Sequence, residues 1–401
     1  MMKNKIKLSA LSVLSTALLA TPLAFAETNA VAAGIEKALS ESTVKLNFRA
    51  RYEGVDQDGI DANANALTLK SRITVNTGSF QGLSAGVEVD NVTDLIDNYN
   101  STANGATKYP AVADPTGTDV NQIFIKYSAD NFSATAGRQR ILHNNQRFVG
   151  GVGWRQNEQT YDGYRLQFNQ KQGFSADYSY VYNVNRIFGP DGANADLHGQ
   201  FHLLNTGYVI NQAHKVNAYA YLLDFDTKAG LSTDTYGLSY QGNFGAVTVN
   251  AAYATQRDAG DNSQDFSANY YNFEVGTQVS SVTLLAGIES LGSDNGVGFS
   301  TPLATLHKFQ GFADKFLGTP GQGVEDIYLT VKTTLNGVKL AATYHDLSSD
   351  VDGIDYGSEI DLAAAYSLNK HTSVLVKLAH YNADDHASDT DKLWLQVAAN
   401  F

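Results

Sequence analysis

From Val44 onward the chain alternates apolar and polar residues one for one: Val44, Leu46, Phe48, Ala50 and Tyr52 are interleaved with Lys45, Asn47, Arg49, Arg51 and Glu53. A period of two is the mark of a β-strand with two different faces, because successive side chains point to opposite sides. The pattern returns at Leu67 and Leu83, then near Gln122, Phe132, Tyr161, Phe174, Phe201, Lys215, Thr235, Val247, Tyr270, Val282, Asp326, Val338, Glu359, Thr372 and Lys392, which predicts eighteen strands. The runs near Phe201 and Lys215 are ambiguous in phase, since Tyr219 and Tyr221 oppose Ala218 and Ala220; misreading that pair would leave sixteen. The connections alternate as well. Short ones fall at 78–82, 129–131, 170–173, 211–214, 242–245, 280–281, 334–337 and 367–371, and longer ones lie between them. Tight turns on one rim and long loops on the other predict an all-β fold, a transmembrane antiparallel β-barrel with short periplasmic turns and long extracellular loops.

The amino terminus agrees with that location. Lys3, Lys5 and Lys7 precede an apolar run from Leu8 to Leu19 and the small-x-small triplet Ala24-Phe25-Ala26, the pattern of a secretory signal peptide over residues 1–26. No later segment approaches the apolar length of a membrane helix. Residues 27–42 carry Ala32, Ile35, Ala38 and Leu39 at helical spacing and are expected to form a short periplasmic or lumen-inserted helix before the barrel, residues 43–401. The final strand places Leu393, Leu395, Val397, Ala399 and Phe401 on one face, and the terminal Phe401 is similar to the carboxy-terminal signal read by the outer-membrane assembly machinery. The expected location is the outer membrane of a Gram-negative bacterium, with lipid and lipopolysaccharide as partners and the chain a monomer.

Composition removes other classes. With no cysteine, thiol catalysis and cysteine-ligated zinc are excluded. The 401 residues hold 28 basic against 41 acidic side chains, so a nucleic-acid partner is not expected. Acids crowd the long loops: Asp56, Asp58 and Asp61; Asp346, Asp350, Asp352 and Asp355; Asp384, Asp385, Asp389 and Asp391. Neither Asp56-Gln57-Asp58-Gly59 nor Asp350-Val351-Asp352-Gly353 has the full spacing of a twelve-residue calcium loop, so no metal or other cofactor is assigned. His307 with Asp314 and His345 with Asp346 are the best enzyme candidates, yet neither has a serine in a nucleophile context, and no enzymatic activity is expected.

Basic residues concentrate elsewhere. Strand phase puts Lys45, Arg49, Arg51, Lys70, Arg72, Lys126 and Arg165 on the lumen face, and Arg138, Arg140, Arg147 and Arg155 lie in or beside the third long loop. Rings of Arg and Lys are one way to build an anion-selective pore, so these eleven residues are expected to line a channel for small anions. Arg138 is the exception to phase: strict alternation from Phe132 turns it towards lipid, roughly 14 Å above the turn, where a charge costs about 2–4 kcal/mol. A bulge at Gly137 is expected to flip Arg138 and Arg140 inward. The loop at 291–325 is too apolar to stand in water. Leu303, Leu306, His307, Lys308, Phe309, Phe312, Asp314, Lys315 and Phe316 are expected to form a constriction or lid.

The segments Gly137-Arg138-Gln139-Arg140-Ile141, Arg147-Phe148-Val149-Gly150, Gly153-Trp154-Arg155-Gln156-Asn157 and Tyr161-Asp162 resemble the alginate-export family of outer-membrane porins. So do Thr301-Pro302-Leu303-Ala304-Thr305-Leu306-His307-Lys308-Phe309 and Gly311-Phe312-Ala313-Asp314-Lys315-Phe316-Leu317. The resemblance implies an 18-stranded barrel with an arginine-rich conduit for anionic solutes. The expected function is passive diffusion of small sugar or organic acids. The alternatives are export of an anionic polysaccharide such as alginate, and a non-conducting structural or adhesive barrel.

Overall fold

A computed structural model describes residues 27–169 and 173–401; the signal-peptide reading concerns residues 1–26 and lies outside them. The barrel opens with β1 (Thr43–Gln57), β2 (Ala64–Asn76), β3 (Leu83–Asn98), β4 (Gly117–Ala129), β5 (Phe132–Gln139) and β6 (Thr160–Asn169). It continues through β7 (Phe174–Asn185), β8 (Asp196–Asn211), β9 (His214–Phe225), β10 (Thr233–Asn243), β11 (Val247–Asp258), β12 (Ser267–Val279) and β13 (Val282–Leu291). Val324–Leu335, Val338–Ser348, Asp355–Ser367, Thr372–Ala383 and Thr390–Asn400 complete an 18-stranded sheet. Each strand pairs antiparallel with the next, and the last pairs with β1 from Asn47↔Asn400 to Gln57↔Thr390. Closure removes both sheet edges, which a lipid environment demands because no water is there to satisfy them.

Leu238, Ile125, Leu329, Leu395 and Val397 stand exposed on the outer wall, while their sequence neighbours turn inward. Phe132, Phe168, Phe174, Tyr208 and Phe244 are exposed beside the short turns, and Tyr164, Tyr236, Tyr253, Tyr271 and Tyr344 towards the long-loop ends. An apolar band between two aromatic girdles is the outer surface of a membrane barrel. The ambiguous pair resolves with odd residues inward, since Phe201, Leu203, Tyr219, Tyr221, Leu223 and Phe225 are buried. Their phase was hard to read because this arc of the lumen wall is itself apolar.

Residues Glu27–Ser40 form a helix against the turn after β2. Gly78 N–H donates to the Ala38 carbonyl at 2.8 Å, and Gly34 lies so close to the Phe80 ring that a larger residue would collide with it.

Candidate functional site: two loops folded into the lumen

The longest connections, 292–323 and 140–159, turn into the barrel. They are joined to each other by backbone: Gly150 N–H donates to the Leu303 carbonyl at 2.9 Å, and Thr305 N–H to the Gln146 carbonyl at 3.0 Å. Gln159 Nε2 reaches the Leu303 carbonyl at 2.9 Å, and the Tyr161 hydroxyl donates to the Gly150 carbonyl at 2.7 Å. These contacts satisfy buried backbone groups that a loop inside a barrel would otherwise leave without water.

The apolar arc receives the apolar side of both loops. Phe148 packs on Tyr219 at 5.1 Å, on Tyr270 at 5.2 Å and on Phe299 at 5.9 Å. Leu303 and Phe316 are buried in the same core. Such burial stabilises each large side chain by about 1.5–3 kcal/mol relative to exposure.

The opposite arc holds the loops by charge. Arg155 places one guanidinium among three carboxylates, Glu53 at 2.9 Å, Asp314 at 3.0 Å and Asp114 at 3.9 Å. Asp314 also takes Lys392 at 3.0 Å and His307 Nδ1 at 2.7 Å, and the other ring nitrogen of His307 meets Lys377 Nζ at 2.7 Å. His307 stacks on Trp154 at 4.7 Å; Arg51 lies over the same indole at 4.6 Å and pairs with Asp114. A second latch centres on Arg147, which donates to Glu289 at 3.1 Å, Thr301 at 3.1 Å and Gln310 at 3.3 Å. Buried charges are tolerated only when paired in this way.

A third group, on β2 and β3, grips the ends of the third loop. Arg72 pairs with Asp90 and with Glu158 at 2.8 Å, Lys70 with Glu158 at 3.9 Å, and Arg140 with Glu88 and Glu158. Arg49 donates to the Gly153 carbonyl at 2.9 Å and Gln156 at 2.8 Å, and Arg165 pairs with Asp177. Of the eleven cations expected to line the pore, eight are therefore inward and neutralised by carboxylates or loop carbonyls. Lys45 and Lys126 occupy inward positions without an ion pair among the described residues.

Arg138 departs from expectation. Alternation runs unbroken through Gly137, with Gly137 opposite Phe124 and Gly163, so no bulge forms. Arg138 stands opposite Ile123, a residue 51% exposed on the outer wall, and opposite Asp162. The cost is offset locally: Asp162 accepts from Arg138 Nε at 2.8 Å, and Nη1 reaches the Val120 carbonyl at 3.0 Å above the end of the short β5. Gly137 serves close approach instead, since a Cβ there would strike the Ile123 carbonyl. Arg140 turns inward because the chain has already left the sheet. We expect Arg138→Ala to leave ion selectivity unchanged while lowering barrel stability by about 1–3 kcal/mol, because Asp162 loses its cation and keeps only the neutral amides of Asn183 and Asn185. A reversal-potential measurement beside a thermal melt separates the two effects.

The loop residues expected as a lid divide in the same way. Leu303, His307 and Phe316 are buried, Leu306, Phe309, Phe312, Asp314 and Lys315 half-buried, and Lys308 is exposed on the lumen side. His345 does not pair with Asp346, which faces outward opposite Ile327; it meets Asp326 at 2.9 Å and Asp361 at 3.7 Å. Sequence reasoning missed Trp154, Glu289, Glu359, Asp361, Lys377, Lys392 and Trp394 as loop holders. For the residues in strands the inward phase was the available signal.

Comparisons with known proteins agree with this architecture. The alginate export family matches residues 41–289. OccK3 (OpdO) of Pseudomonas aeruginosa is 14% identical with a TM-score of 0.68, covering 92% of this chain and 98% of that one. OccK9 (OpdG) of the same organism is 16% identical with a TM-score of 0.71, covering 91% and 99%. OpdK of Pseudomonas aeruginosa, crystallised with vanillate, is 12% identical with a TM-score of 0.71, covering 90% and 99%. No curated protein matches the chain. With an 18-stranded closed wall, a lipid-facing band and a family match over more than half its length, the chain belongs to the alginate export family and is an outer-membrane β-barrel of porin architecture.

Proposed function

We propose that the protein is a passive channel for small anionic solutes, organic or sugar acids, working without cofactor or nucleotide. The observation that carries this reading is the set of uncompensated lysines on the lumen side. Lys45, Lys126, Lys332 and Lys339 occupy inward positions near the short-turn rim, and none makes an ion pair among the described residues; Lys308, above them on the seventh long loop (residues 292–323), donates to the Asn145 carbonyl at 3.0 Å. Lys308 feels both Lys332, which repels it, and the Glu274 carboxylate, which attracts it. Unpaired ammonium groups in a low-dielectric funnel concentrate anions and exclude cations. Vanillate, found with OpdK, is itself a small carboxylate.

Size supports the same choice. An extended polyuronate needs an unobstructed lumen, and here two loops cross it, which favours small acids over polysaccharide export. The His307–Asp314 pair is engaged by Lys377, Lys392 and Arg155, which supports a holding role for it.

The test is the reversal potential in a planar bilayer under a salt gradient. An anion-selective current is expected, and Lys332→Gln with Lys339→Gln should move it towards zero selectivity, more at 0.15 M than at 1 M salt, where the screening length falls from about 8 to 3 Å. Cation selectivity in the unaltered protein would reject the reading.

A further inference from the structure

Two buried carboxylates stand side by side on the inner face of the strand Asp355–Ser367, and neither makes an ion pair with Lys or Arg among the described residues. Glu359 is fully buried and Asp361 is 2% exposed. Each accepts a backbone N–H from the same turn of the seventh loop: Ala313 N–H donates to Glu359 Oε1 at 2.7 Å, and Phe312 N–H to Asp361 Oδ2 at 3.0 Å. Gly311, at φ 85°, brings the turn so close that a Cβ would run into the Glu359 carboxylate. The remaining oxygens, Glu359 Oε2 and Asp361 Oδ1, are buried and have no other partner.

Carboxylate oxygens only accept, so two of them can bond to each other only through a proton. Glu359 and Asp361 lie two residues apart on one face of the strand, so both carboxylates enter the same buried space under the Gly311–Ala313 turn. A single proton held between Oε2 and Oδ1 accounts for both orphaned atoms at once. The charged groups around the pair do not replace it. His345 is 3.7 Å from Asp361 but is already taken by Asp326, Lys377 is engaged by His307 and the Phe312 ring, and Lys392 by Asp314. Lys315, on the same loop, makes no ion pair with either carboxylate.

We propose that Glu359 and Asp361 are positioning residues for the constriction, a proton-sharing clamp that holds the Gly311–Ala313 turn of the seventh loop against the wall. The proposal rests on the reading of that loop as the constriction. With the shared proton in place the pair carries one negative charge and presents two aligned acceptors to the turn. When the proton leaves at alkaline pH, two like charges face each other in a dry site, where repulsion is far stronger than in water. The carboxylates then separate, the amides of Phe312 and Ala313 lose their registered acceptors, and the turn lifts from the wall.

The test is single-channel conductance between pH 5 and pH 10 in planar bilayers, with correct assembly checked by heat-modifiable gel mobility. The unaltered protein is expected to step severalfold upward in conductance as pH rises. Glu359→Gln, which supplies a permanent amide donor to Asp361 and keeps an acceptor for Ala313, is expected to stay in the low state across the range. The double change Glu359→Ala with Asp361→Ala is expected to stay in the high state. A pH step equal in the unaltered protein and Glu359→Gln overturns the clamp. So does a conductance without any step, provided that removing residues 303–317 enlarges the pore. If that removal leaves the pore unchanged, the constriction reading itself falls, which is a separate result.

Discussion

Excising residues 303–317 is expected to raise single-channel conductance severalfold in a barrel that still assembles. The segment contributes no strand to the 18-stranded sheet, so the wall and its closing ladder between β1 and Thr390–Asn400 are untouched. It does supply Leu303 and Phe316 to the core inside the lumen, His307 and Asp314 to the charged latch, and Gln310 to Arg147. Its removal frees the third loop as well, because Gly150 N–H and Gln159 Nε2 both lose the Leu303 carbonyl. The apolar arc of Tyr219, Tyr221 and Tyr270 would then face water, and noisier current should accompany the larger pore. An unchanged conductance in a heat-modifiable, correctly inserted barrel would mean that the loop packs on the wall without controlling passage.

Replacing Arg155 with Met is expected to cost about 3–5 kcal/mol, the usual penalty for removing one partner from a buried ion cluster. The loss falls on the inward loops rather than on the strand ladder. Asp114 keeps Arg51 and Asp314 keeps Lys392, but Glu53 is left with no cation, and its Oε1 is already without a partner. Lysine should rescue little, since one ammonium cannot span three carboxylates as the guanidinium fork does. The readouts are extracellular protease cleavage within residues 140–159 and fast flicker in the open-channel current. Cleavage and noise equal to those of the unaltered protein would show that Arg155 is not a fastener.

Strand number, strand positions and the side of each turn were legible in the linear chain because each depends on local chemistry. Alternation such as Val44 to Glu53 reports two solvents, lipid and water, on the two faces of one strand, and a tight turn such as Ser280–Ser281 needs only its own residues. The apolar content of residues 291–325 pointed to a loop folded inward or over the mouth, and the choice between them was not legible in it. The eleven basic residues were visible, but their partners were not. Glu53 and Arg155, Arg147 and Glu289, and Lys377 and His307 meet only because closure of the sheet brings distant strands around one lumen, and pairing across that space leaves no trace in spacing.

Arg138 shows where local reasoning reached its limit. Its cost in lipid was weighed alone, whereas the antiparallel register sets Asp162 directly opposite it and lowers that cost without any bulge. The same holds for Glu359 and Asp361, whose alternate spacing puts both on one face but says nothing of the loop amides that they receive. Local periodicity specifies the wall, because it reads the environment of each residue in turn. The three-dimensional closure decides which charges hold the loops and which, such as Lys45 and Lys332, stand without an ion pair among the described residues.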